Sequence, residues 1–96
     1  MTLRFLQFDL SEDTEGLRSW SALAAPAAVH AIALQSEVQT LINDLRQHLG
    51  KPGPLDDGHS WDMALDTERD ADRTTVSLCL SGGDALAERL AWWSPA

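Results

Sequence analysis

Apolar and polar positions along this chain follow two periods. In residues 60–68, Trp61, Met63 and Leu65 alternate with Asp62, Ala64 and Asp66, and in residues 73–81, Val76, Leu78 and Leu80 alternate with Thr75, Ser77 and Cys79. A period of two predicts two half-buried strands. The intervening residues 69–72 then form a hairpin loop. If Glu68 pairs with Arg73, Leu65 meets Val76, Met63 meets Leu78 and Trp61 meets Leu80. All three apolar pairs then share one face, with an opposite-charge pair on the other, and a one-residue slip would put the faces out of phase.

Residues 26–49 carry the second period. Ala27, Ala31, Leu34, Val38, Leu41, Ile42, Leu45 and Leu49 step by threes and fours, which predicts an amphipathic helix about 36 Å long. Val29, Ile32 and Ala33 widen its apolar band, so its first half is expected to be the more deeply covered. Gly50 follows as the cap, with Pro52 and Pro54 beyond. Residues 3–10 read as a strand with Leu6, Phe8 and Leu10 on one face and Leu3 and Phe5 on the other. Residues 11–16 read as an acidic loop. In residues 17–25, Leu17, Trp20 and Leu23 at intervals of three suggest a helical turn, while Ser19 and Ser21 flanking Trp20 also fit an extended segment. Asp84 is placed to cap a short closing helix whose stripe is Leu86, Ala87, Leu90 and Trp93.

These elements predict one α+β domain over residues 1–96. It is a two-layer sandwich with a three-stranded, mainly antiparallel sheet in β-α-β-β-α order and one long and one short helix on one face. The order resembles a ferredoxin-like sandwich lacking its last strand. That resemblance carries no motif and implies no activity.

Composition narrows the function. Seven basic residues against fifteen acidic ones give a net charge of −8, which argues against a nucleic-acid partner. No apolar run reaches the length of a membrane span, and the first residues lack a signal peptide's apolar stretch. Cys79, the single cysteine, cannot form an internal disulfide or a thiolate zinc site, and fits a cytoplasmic location. Six Arg against one Lys, with abundant Ala and Leu, suggests a GC-rich bacterial genome.

Several groupings invite a chemical reading, and each has a plainer one. Gly58-His59-Ser60-Trp61-Asp62 imitates a nucleophile elbow but lacks the last glycine and the strand–turn–helix setting. Asp57, His59 and Asp62, with Asp56, are candidates for holding a ligand or a divalent metal, although three acidic groups near a turn are usually a solvated surface. Asp66, Glu68, Asp70 and Asp72 alternate like a calcium loop, but Ala71 and Ser77 stand where glycine and glutamate are needed. Asp44 and His48, one helical turn apart, suit either an oriented imidazole or a surface ion pair. Ser81-Gly82-Gly83 before a helix is a turn that could meet an anion, except that Asp84 occupies the place. None of these implies a catalytic residue, a cofactor or a bound metal.

The expected function is therefore a non-catalytic protein-interaction domain that self-associates as a homodimer. Leu3, Phe5, Trp92 and Trp93 are the interface candidates. Two alternatives stand beside it: an acidic inhibitor or immunity-type protein that neutralises a basic partner, and a small-ligand binder or enzyme with a site near residues 52–62.

Overall fold

A computed structural model describes residues 2–13 and 17–95, so residues 14–16 of the expected loop lie outside the described part. The chain forms β1 (Thr2–Leu3), β2 (Phe8–Glu12), β3 (Arg18–Ala24), α1 (Ala31–Leu49), β4 (Trp61–Arg69), β5 (Thr74–Gly82), α2 (Asp84–Leu90) and β6 (Ser94–Pro95). Strands β2, β3, β5 and β4, in that spatial order, make a four-stranded antiparallel sheet, and β1 pairs in parallel with β6. The α+β class and the two helices agree with the sequence reading. The three-stranded sheet and the ferredoxin-like order do not.

The largest correction is β3. Of the two readings of residues 17–25 the extended one holds and the helical turn does not: Arg18–Ala24 is a central strand held between β2 and β5. The helical spacing of Leu17, Trp20 and Leu23 misleads because Leu17 and Leu23 are exposed. The inward set is Trp20, Ala22 and Ala24. Alanine is a weak strand former, so pairing on both sides, rather than local preference, makes this segment extended.

The first strand is also not continuous. It breaks over residues 4–7, so Leu3 and Leu6, three positions apart, both reach the core at 1% exposure. Glu37 of α1 holds the break: its carboxylate accepts hydrogen bonds from the backbone N–H of Arg4, of Phe5 at 3.0 Å and of Leu6 at 2.9 Å.

The β4–β5 hairpin keeps its predicted faces, but its pairing is shifted by two. Trp61 lies opposite Gly82, Met63 opposite Leu80, Leu65 opposite Leu78 and Arg69 opposite Thr74. The loop is residues 70–73, closed by Asp70, whose Oδ1 accepts from the N–H of Asp72 at 2.9 Å and of Arg73 at 2.8 Å. A shift of two preserves which side each residue faces, so apolar pattern alone does not distinguish the two registers.

Helix α1 starts later than its periodicity suggests, after a 3-10 turn over Ala28–His30. The preceding backbone is committed to the hairpin tip: Ala28 N–H donates to Asp72 O at 3.0 Å, and Thr74 N–H to Pro26 O at 3.3 Å. Nineteen residues give a helix of about 28 Å, shorter than the roughly 36 Å its periodicity predicts. Leu34, Leu41 and Leu45 are fully buried, with Val38 and Ile42 close to it. Turning these residues inward sends Ile32 to the outer flank, and Val29 and Ile32 are both 83% exposed. The helix's first half is thus the less covered one, contrary to expectation. Gly50 ends it at φ 86° and ψ −168°, a region open in practice only to glycine, and its carbonyl accepts from Trp61 Nε1 at 2.9 Å. The cap position of α2 is Gly83 and not Asp84, which instead pairs with Arg18 on β3.

Candidate functional site

Both helices pack on one side of the sheet, against Trp20, Ala22, Ala24, Trp61, Val76, Leu78 and Leu80. The register therefore defines the other side row by row. One row is Ser11, Ser19, Ser81 and Asp62, and the next is Asp9, Ser21, Cys79 and Ala64. Leu23, Ser77 and Asp66 form a third, and Thr75 with Glu68 a fourth. The residues are exposed or half-exposed. Their hydroxyls meet across the strands, Ser19 Oγ to Ser81 Oγ at 3.5 Å and Ser21 Oγ to Cys79 Sγ at 3.7 Å. Among the described residues these four rows carry Asp9, Asp62, Asp66 and Glu68 and no Lys or Arg; the next pairing, Ala27 with Arg73, puts one cation at the end of the face. It is a hydroxyl-bearing, acidic surface, bordered by the outer edges of β2 and β4.

The residues singled out from sequence do not converge. Asp57 is exposed in a 3-10 turn over Leu55–Asp57. His59 is half-buried over Gly53, where an added Cβ would stand 2.6 Å from its ring, and its Nδ1 lies 3.2 Å from the Lys51 carbonyl. Asp62 sits on the open sheet face and accepts from the N–H of Met63 at 2.8 Å. It lines a shallow depression of about 340 Å³ with Leu17, Pro54, Leu55, Asp56 and Ser81, which neither Asp57 nor His59 reaches. Among the described residues no three His, Cys, Asp or Glu side chains come together as a metal site. Cys79 lies opposite Ala64. Of the interface candidates, Leu3 at 1% and Trp93 at 9% exposure are core residues of the monomer. Phe5 is half-buried against His30, and Trp92 is 63% exposed with the Arg89 guanidinium over its ring.

The best-built polar cluster joins the two helices. Asp44 accepts from Arg89 Nε at 2.8 Å, from Arg89 Nη2 at 2.6 Å and from Trp93 Nε1 at 2.9 Å. His48 Nδ1 lies 3.5 Å from the same carboxylate and 2.9 Å from the Asp44 carbonyl. The Arg89 hydrogen bonds, opposed by burial and helped by Trp93, hold the Asp44 carboxyl down to about 2, and the same pairing raises Arg89. With its acceptors committed to two permanent donors, Asp44 acts as a clasp between α1 and α2. Sequence spacing found its contact with His48. Arg89 and Trp93, 45 and 49 residues away, had no local signal.

Comparison with known proteins returns no similar family model, curated protein or solved structure. Among the described residues no helix is long and apolar enough to cross a membrane.

Proposed function

We propose that this chain is a non-catalytic protein-interaction domain whose partner is a basic protein. The carrying observation is the uncovered sheet face, on which Asp9, Asp62, Asp66 and Glu68 stand among serines without a cation in their rows. Like charges oppose stacking this face on its own copy. A partner rich in Arg or Lys would be drawn to it and held in register by hydroxyl and carboxylate acceptors. This reading joins the interaction domain expected from sequence to the partner-neutralising alternative. The half-buried lone Cys79 is in keeping with a cytoplasmic setting. The test is affinity capture from cells of the source organism with the wild-type chain and with Ser21→Arg/Ser77→Arg. A basic protein held in stoichiometric amount by the wild type, and lost with the variant or with added salt, is expected. A partner retained equally by both would overturn the assignment to this face.

Self-association is a second reading, favoured by Trp92, which remains largely exposed at the end of α2. A dimer formed there should revert to monomer on Trp92→Ala in sedimentation equilibrium.

A further inference from the structure

The basic-partner reading leaves open how a partner is held, and β4 supplies a means. It is a nine-residue strand bonded to β5 along one side only, and in the sheet order its other side is the rim. Its register with β5 runs from Trp61 to Arg69. At the start the outer side is taken, by Gly53 N–H on the Trp61 carbonyl at 3.1 Å and by the Asp62 carboxylate on Met63 N–H. Beyond that the outer backbone row is open over residues 64–69, about 20 Å. Such an edge is a template for another strand unless something blocks it.

The two faces of this edge differ in chemistry. Toward the open side it presents Asp62, Ala64, Asp66 and Glu68. Toward the helix side it presents Met63, Leu65 and Thr67, and here α1 falls short. Leu65 is 44% exposed although its cross-strand neighbour Leu78 is fully buried. Between β4 and α1 runs a groove of about 260 Å³, lined by Gln35, Val38, Gln39, Leu65, Thr67 and Val76 and reaching Arg69.

A second copy of the chain does not fit. Two-fold antiparallel pairing of β4 centred on residue 64, 65 or 66 sets Asp62 against Asp66, Asp62 against Glu68, or Asp66 against itself. Like charges directly opposite are unfavourable in each case. A strand matching both faces has Lys or Arg at alternate positions, facing Asp66 and Glu68, and apolar side chains between them, entering the groove beside Leu65.

Resting on the interaction-domain reading, we propose that β4 binds its partner by strand addition, taking an extended segment in which basic and apolar residues alternate. Main-chain hydrogen bonds along the edge hold the segment, and the alternation selects it.

The test is an NMR titration of the intact, 15N-labelled protein with a synthetic peptide of alternating lysine and valine. Three peptides serve as comparison: a scramble, a glutamate–valine alternation, and the lysine–valine peptide N-methylated at alternate residues to remove one edge of donors. Saturable shifts confined to β4 and the facing side of α1 are expected, with binding lost for all three comparison peptides. Asp66→Lys and Leu65→Lys, checked for folding by circular dichroism, should each weaken binding about tenfold or more, while Gln47→Ala, exposed on α1 and outside the groove, leaves it unchanged. Equal binding by the scramble or the N-methylated peptide overturns strand addition. Shifts spread over Ser21 and Ser77 without β4 overturn the edge but leave the basic-partner reading standing. No shift with any cationic peptide defeats both. A concentration-dependent dimer that protects β4 shows the edge occupied by a second copy and overturns the proposal.

Discussion

Asp44 shows what a single side chain does here and how that changes with pH. Its carboxyl is held at about 2 rather than the usual 3.8, chiefly by the Arg89 hydrogen bonds. A depressed carboxyl contributes stability that is complete above its unfolded value and disappears as pH falls through the folded one. The clasp should therefore be at full strength at neutral pH and fade between pH 3.8 and about 2. Asp44→Asn keeps the shape but removes the charge, and should cost about 1.5–3 kcal/mol at pH 7. Urea midpoints of the two proteins should draw together below pH 3.8, as the wild type loses its charge as well. A gap that stays constant down to pH 2 would show that charge is not what Asp44 contributes.

At the scale of elements, the hairpin tip and the long helix make opposite predictions for residues that look equally simple in sequence. Leu41 is fully buried in α1, and Leu41→Ala should cost about 2–5 kcal/mol. A residue at an acidic loop tip would ordinarily be dispensable, but Asp70 closes the turn with two backbone hydrogen bonds, so Asp70→Ala should cost about 1 kcal/mol. Denaturant midpoints that leave Asp70→Ala within error of wild type would show the turn forming without it. The contrast marks how far sequence reaches. Alternation in β4 and β5 and the i, i+4 stripe of α1 were legible because Trp, Leu and Val report a face whenever they are buried. The strand β3 was not, because its inward residues include Ala22 and Ala24, whose small side chains give little periodic signal. The exact hairpin pairing was hidden for a geometric reason, since registers two apart bury the same residues. The open face was hidden too: which strands neighbour one another brings its serines and carboxylates together, and no local motif marks them.

For the whole molecule, charge and shape act together. The chain extends over 41 × 23 × 21 Å, with a radius of gyration of 13.6 Å against about 12.5 Å for an average domain of this length. Its surface of 6008 Å² also exceeds the roughly 5,400 Å² expected for its mass. The excess fits an uncovered sheet face and the uncovered distal half of β4. With a net charge of −8 and four carboxylates on one open face, the free protein works against its own repulsion. Added salt should then act with opposite sign on folding and on binding. Between about 0.01 M and about 0.15 M salt, where the screening length falls from about 30 Å to about 8 Å, the urea midpoint should rise. The half-buried Asp44–Arg89 pair, screened less than an exposed one, should offset little of that gain. Over the same range a basic partner or the lysine–valine peptide should bind more weakly, because its attraction is screened too. Asp66→Asn/Glu68→Gln tests the common origin: it should flatten both salt dependences at once. A midpoint that falls with salt would show that attractive pairs such as Arg18–Asp84 outweigh the repulsion, and the open face would then no longer account for the molecule's electrostatics.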